Sequence, residues 1–479
     1  MPITIPQIDF RVIMPEIVIT LFACLVMLLE PFLPDRRKWI LPHLSWTGVF
    51  VAAYFCLPLW NSNLSLWGGQ ALADNLSVIF KIIFLLGTLL TILISYLKSG
   101  HHWGGEYYSL ILFSTLGMMI MASSSDLIVI FLGLEVMSIA LYVLAGFNRT
   151  DLKSSESAMK YFLMGAFSTG FLLYGIALIY GTTGSTNLNI LVNNPHLTEP
   201  LFITGLGLIL VGLAFKVATV PFHMWVPDVY EGAPTPITAF MAAGPKAAGF
   251  AALLRVFLIG LTPLAPMWIG ILWILAVLTM TLGNVLAIAQ MNIKRMLAYS
   301  SIAHAGYVLI CIVAGGDAGL SSAVFYLLVY SLMTIGSFAV IIALGEKGEK
   351  NEELADFRGL GLKYPLLGVC MTIFMVSLSG IPPTAGFVGK FYIFSAAVKN
   401  GQLALAIIGV LNSLISVYYY LRVVVIMFMQ EAPSTAVVPH SSWSVQLALW
   451  LTAITTLGLG LFPDILFKLT QQSWLLTLR

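Results

Sequence analysis

The chain has 479 residues, 59% of them hydrophobic and only 9% charged, with a formal net charge of +2. An ordinary soluble protein is about one-quarter charged, so this composition excludes a water-facing globular surface, and the near-neutral balance excludes a bulk attraction for nucleic acid. The bilayer is the solvent for most of this sequence.

A spanning helix needs about 20 apolar residues. Runs of that kind start near residues 12, 40, 75, 106, 126, 157, 201, 235, 267, 296, 319, 365, 403 and 443. The first lacks a basic leader and an A-x-A cleavage site, so it reads as a retained helix. The runs are too long and too uniformly apolar for barrel strands. The expected fold is therefore an all-α polytopic membrane protein of about fourteen helices. The connections carry turn formers and charge, as in "PDRRKW", "KSGHHWGGE", "NRTDLKSSE" and "GEKGEKNEELADFRG", and no extramembrane domain fits between the runs. Basic residues follow the first (Arg36, Arg37, Lys38), third (Lys98), fifth (Arg149, Lys153), ninth (Lys294, Arg295) and eleventh runs (Lys347, Lys350, Arg358, Lys363). The loops after the second, fourth, sixth and tenth carry none. Positive-inside bias puts the odd loops in the cytoplasm and both termini on the periplasmic side.

Charged groups inside the runs stand out, because a lysine at a helix centre costs about 2.5–3.5 kcal/mol on insertion scales. Four are too deep to snorkel easily: Glu135 in the fifth run, Lys216 in the seventh, Lys246 in the eighth and Lys390 in the twelfth. The structural alternative is ion pairing between helices, but that leaves two lysines without acidic mates. Low dielectric favours a neutral amine and a nearby carboxylate favours the charged one, so Glu135 moving relative to Lys216 is a switch on proton affinity. Lys160 follows Glu156 by four residues, which reads either as an interfacial pair or as a reach towards Glu135. His223 and His304 are relay candidates, since histidine titrates near neutral pH, with packed structural histidines as the alternative. Lys81 reads as snorkelling to the interface, and Glu16 and Glu30 as interfacial. Cys24, Cys56, Cys311 and Cys370 lie far apart in apolar sequence and read as buried inert thiols, with no iron–sulfur or zinc spacing.

There is a faint internal repeat. "LYVL" (141–144) matches "GYVL" (306–309), "SAMKYFLMGAFST" (157–169) matches "SAVFYLLVYSLMT" (322–334), and "TLG" recurs at 115–117 and 281–283, all 165 or 166 residues apart. Runs four to eight are then duplicated as nine to thirteen. Five spans per copy invert the second copy in the membrane, as in many transporters. This divides the chain into a three-helix segment (1–105), two five-helix repeats (106–260 and 265–430) and a terminal helix (431–479). The seventh run carries Pro221 after Lys216, and the twelfth carries "SGIPPTAGFVGK" ending at Lys390. Both helices should be interrupted, and paired broken helices point to an ion site.

"EVMSIALYVLAGF", "AFKVATVPFHMWVPDVYEGAPTPITAFMAAGPKAAGF", "NIKRMLAYSSIAHAGY" and "SLSGIPPTAGFVGKFYIF" resemble the N-type, antiporter-like membrane subunits of bacterial respiratory complex I, the proton-translocating NADH:quinone oxidoreductase. The resemblance runs through the whole chain. It implies fourteen helices, inverted five-helix repeats and a hydrophilic axis at mid-membrane. The axis would be carried by Glu135, Lys216, Lys246 and Lys390, with Lys160, His223 and His304 as relay positions. It also implies an inner-membrane location and K-type and M-type neighbours. No cofactor is expected on this chain; NAD, FMN, iron–sulfur clusters and quinone belong to partner subunits. A subunit of a Mrp-type cation/proton antiporter is the alternative. A structural scaffold is a third reading, and it predicts that the buried charges tolerate neutral replacement.

Overall fold

The computed structural model describes residues 9–96, 103–345, 352–432 and 442–472. Lys98, Lys347 and Lys350, which contribute to the loop-charge pattern, lie outside them. The helices in chain order are α1 (Met14–Leu29), α2 (Ile40–Cys56), α3 (Asn75–Ile94), α4 (Gly105–Ala122), α5 (Leu127–Ala145), α6 (Leu152–Thr183), α7 (Pro200–Val217), α8 (Val226–Gly232) and α9 (Thr235–Leu253). They continue with α10 (Ala265–Ile288), α11 (Ile293–Ala314), α12 (Gly316–Leu344), α13 (Pro365–Ser379), α14 (Ala385–Lys399), α15 (Leu403–Met429), α16 (Trp443–Leu461) and α17 (Asp464–Gln472). A helix begins within five residues of every start expected from the sequence. Among the described residues, twelve helical stretches are long and apolar enough to cross a membrane. A short antiparallel hairpin, Leu64–Leu66 with Ala71–Ala73, interrupts the helical pattern after α2. Three-residue strands are too short to leave an alternation in the sequence.

The bundle has an inner and an outer set of helices. The apolar windows of α3, α9, α11 and α12 are 83–94% buried, and every other spanning window is at most 61% buried. A helix apolar all round and buried all round is an interior helix, and these four form the interior. Helices close on one another through small residues, as membrane helices do. A Cβ on Gly117 of α4 would stand 2.5 Å from the Gly133 carbonyl of α5, and one on Gly175 of α6 would stand 2.6 Å from the Gly205 carbonyl of α7.

The two expected breaks are present. α7 stops at Val217, Ala218 turns left-handed at φ +63°, and α8 resumes at Val226. α13 stops at Ser379, Gly380 turns left-handed at φ +83°, and α14 resumes at Ala385. A left-handed alanine costs about 1–2 kcal/mol. It is held by Thr219 and Ala218 donating back to the Ala214 and Phe215 carbonyls, at 3.0 Å each.

Two expectations are corrected. Lys81 does not snorkel: it is 0% exposed, and its ammonium lies 2.7 Å from the carboxylate of Glu16, itself 8% exposed. α3 is an interior helix, so Lys81 has no route to the headgroups and is neutralised in place. Cys24 is exposed on the outer surface of α1, and the other three cysteines are buried.

Candidate functional site

The deeply buried cations fall into two groups. Lys81 pairs with Glu16, Arg255 makes a two-point contact with Asp74 at 2.6 Å for each bond, and Lys294 lies 2.9 Å from Glu352. Each has its carboxylate. Lys216, Lys246 and Lys390, exposed by 5%, 3% and 3%, are different. Among the described residues none has a carboxylate oxygen within 4.0 Å, and neutral oxygens satisfy all three.

Lys216 sits in the last turn of α7, just before the break. Its ammonium donates to Ser138 Oγ (2.9 Å) and Tyr161 Oη (3.1 Å) and stands over the Tyr161 ring. Tyr161 is fixed by stacking on Trp225, whose indole N–H donates to the Phe215 carbonyl near the end of α7. Glu135 lies one turn before Ser138 on α5. Its Oε1 is buried without a hydrogen-bond partner, and it forms no direct ion pair with Lys216.

Lys246 follows Pro245 inside α9. Its ammonium donates to both the carbonyl and the hydroxyl of Ser301 on α11, at 2.8 Å each. His304, one turn further along α11, is buried between two tyrosine hydroxyls: Nδ1 is 2.6 Å from Tyr326 and Nε2 is 2.9 Å from Tyr420. Tyr420 also bonds Ser300. A further turn along, Tyr307 faces the ammonium of Lys390, 4.8 Å from its ring centre. Lys390 reaches back across the second break and donates to the Leu378 and Ser379 carbonyls (3.0 Å each) and to Ser413 Oγ (2.9 Å). Those carbonyls are among the orphaned acceptors at the end of α13. Ser301, His304 and Tyr307 thus line one stripe of α11 at helical spacing. They carry the polar line from Lys246 to Lys390 over about 9 Å of helix rise. A cavity of about 910 Å³ adjoins Lys390 and Ser413 between α14 and α15.

The remaining candidates lie apart. Lys160 turns to one membrane face, 2.6 Å from both Glu156 and Asp228. There Arg295 bridges Asp228 and Glu231, and Lys153 completes the cluster on Glu231. Lys160 makes no contact with Glu135. His223 lies in the segment between α7 and α8 with Nδ1 buried and unpartnered. Sequence reasoning missed the neutral partners Ser138, Tyr161, Ser301, Tyr326, Tyr420 and Ser413. The "SSIAHAGY" stretch alone carried a signal, with Ser300, His304 and Tyr307 at helical spacing. Among the described residues no three His, Cys, Asp or Glu side chains gather as a metal site.

A polytopic bundle with two interrupted helices and a buried line of amines, an imidazole and hydroxyls defines the class: an ion-translocating membrane protein of the transporter type. Residues 124–416 match the family described as NADH:quinone oxidoreductase/Mrp antiporter, TM, and the chain belongs to it. Within the family it groups with the N subunits: NADH-quinone oxidoreductase subunit N of Trichlorobacter lovleyi is 51% identical over 97% of both chains. A chain of respiratory complex I from Thermus thermophilus with bound aureothin superposes with a TM-score of 0.82 at 36% identity, over 95% of this chain and 99% of that one. A chain of the Mrp complex from Dietzia sp. superposes with a TM-score of 0.86 over 97% of both, but at 21% identity it shares the fold alone.

Proposed function

We propose that this chain is a proton-translocating, antiporter-like membrane subunit of an NADH:quinone oxidoreductase. Glu135, Lys216, Lys246, His304 and Lys390 hold and pass protons, and the redox chemistry of NAD, FMN, iron–sulfur clusters and quinone occurs in other subunits. The observation that carries this reading is the set of three interior lysines held by neutral oxygens alone. A structural cation in low dielectric needs a carboxylate, because an uncompensated buried charge is costly; Arg255 and Lys294 each have one in hydrogen-bonded contact. An amine that alternates between charged and neutral forms is served better by Ser and Tyr hydroxyls, which both accept from an ammonium and donate to an amine. The duplicated five-helix plan is supported by the matching breaks, each following a left-handed residue. The location in a bacterial inner membrane, periplasmic termini and K-type and M-type neighbours belong to the same proposal, as do the relay roles of Lys160 and His223.

The test is Lys246→Gln in the complex assembled in liposomes. Glutamine keeps a donor towards Ser301 but has no proton to give up. Removing a positioned acid–base group costs about 10²–10⁴-fold in the step it serves. Proton uptake per NADH oxidised should fall while the partner subunits, with their flavin and iron–sulfur absorbance, still co-purify. Unchanged uptake would return Lys246 to a structural role, and redox-silent partners would favour the Mrp-type assembly.

A further inference from the structure

Outside the central line, one membrane face holds a second buried cluster of charge. Glu16 of α1 and Lys81 of α3 lie 2.7 Å apart, 8% and 0% exposed. Although close, the pair is not aligned as a hydrogen bond: Lys81 Nζ makes none, and Glu16 Oε2 is buried with no partner. Ser123, which caps α4, reaches Glu16 Oε1 at 3.4 Å. Glu16, Ser123, Thr20 and Gln70 line a cavity of about 410 Å³ beside the hairpin. The pair therefore keeps a buried carboxylate oxygen without a partner on a residue that lines a cavity, unlike the closed two-point pair of Arg255 and Asp74.

That second pair lies on the same helices as the cluster and the central line. Arg255 also donates to the Ala122 carbonyl, the residue before Ser123, while Asp74 caps α3 seven residues before Lys81. Arg255 lies on the helical continuation of α9, nine residues and about 13 Å beyond Lys246. The charged and titratable groups around Glu16 and Lys81 are thus Asp74 and Arg255, already mutually satisfied, and the Cys56 thiol of α2, which lies within the field of both. Asp126 at the start of α5 is occupied by the Ile128 and Val129 amides and Thr186.

We propose that Glu16 and Lys81 form a proton-exchange port between the interior line and the membrane face at which α1 and α3 begin, a reading that rests on the proton-carrying role proposed above. In the exchange step the proton on Lys81 Nζ moves to Glu16 Oε1, leaving a neutral amine and a neutral carboxylic acid. The acid then gives the proton to water in the cavity, and a proton arriving from the interior restores the ammonium. The net charge of the pair is unchanged during the internal transfer, which suits a low-dielectric site. Ser123 Oγ, 3.4 Å from Glu16 Oε1, serves the carboxyl in either form, since a hydroxyl both donates and accepts.

The experiment uses the assembled complex in liposomes carrying Glu16→Gln with Lys81→Met, beside Lys216→Met in the same preparation. A structural pair tolerates this neutral replacement, whereas a port does not. The port predicts intact assembly with proton uptake per NADH oxidised reduced as far as in Lys216→Met, and loss of a pH-dependent carboxyl band in infrared difference spectra. Wild-type uptake in the double variant, with Lys216→Met impaired, would overturn the port alone. Wild-type uptake in Lys216→Met would instead overturn the reading it rests on. If the double variant does not assemble, Glu16→Asp decides: the carboxyl band must shift with the substitution, and a spectrum identical to wild type would overturn the port.

Discussion

Lys216, Lys246 and Lys390 differ from Arg255 and Lys294 in what holds them, and substitutions should separate the two groups. Arg255→Met leaves Asp74 buried without its partner, which costs about 3–5 kcal/mol. Thermal unfolding of the purified complex should show this subunit destabilised, and Asp74→Leu added to Arg255→Met should recover most of the loss. Glu135→Gln makes the opposite kind of change. The Glu135 carboxylate has a buried oxygen without a partner, so stability should be kept while coupled turnover falls, and Glu135→Asp should be milder because a carboxylate remains. Normal quinone reduction with normal pumping in Glu135→Gln would reduce Glu135 to packing. The burial of the three lysines was legible from the apolar sequence around each, whereas Glu135 is only half-buried. Their partners were not, because a serine or tyrosine in a spanning helix looks the same whether it faces an ammonium or bonds its own backbone. Lys81 was misread because snorkelling depends on whether a helix faces lipid, and sequence distance from the helix start does not reveal that.

At the scale of elements, the broken helices position the amines. The second break depends on close approach: a Cβ on Gly386 would stand 1.8 Å from the Ser377 carbonyl, where the Gly386 amide now bonds Ser377 Oγ. Gly386→Ala should therefore displace α14 from α13 and lower the yield of assembled complex. Gly380→Ala is a finer probe. Its left-handed backbone strains any side chain, and its Cβ would meet Lys390 Cδ at 2.8 Å. Assembly should survive with impaired proton uptake, and unimpaired uptake would mean that the seat of Lys390 on the α13 carbonyls is dispensable. The prolines announced both breaks in the sequence. The interior standing of α11, which joins the Lys246 and Lys390 environments into one line, follows from packing: α11 carries Lys294, Arg295 and His304 yet is 94% buried over its apolar window.

Across the whole molecule, the charges sort to two faces. One holds the Lys153, Glu231, Arg295, Asp228 and Lys160 cluster with Lys294 and Glu352; the other holds Asp74, Arg255, Glu16 and Lys81. The excess of exposed loop cations belongs to the first, which positive-inside bias assigns to the cytoplasm. Single cysteines in an otherwise cysteine-free background test this. Thr150→Cys should resist an impermeant thiol reagent in intact cells, and Asn193→Cys should react; the reverse pattern would invert the topology. Fold class and helix order were readable from hydropathy because lipid permits so few backbone solutions.

The central claim is that the interior lysines lose and regain protons, and Lys216→Arg tests it most directly. Arginine offers more donors to Ser138 and Tyr161 and pairs with carboxylates at two points, so a fixed cation is served as well or better by the replacement. It does not release its proton in proteins, so a proton carrier is not. The measurement is proton uptake into liposomes containing the assembled variant complex, with co-purification of partner subunits checked separately. The account predicts assembled complex with loss of uptake. Uptake at the wild-type rate would contradict it and leave Lys216 as a fixed charge.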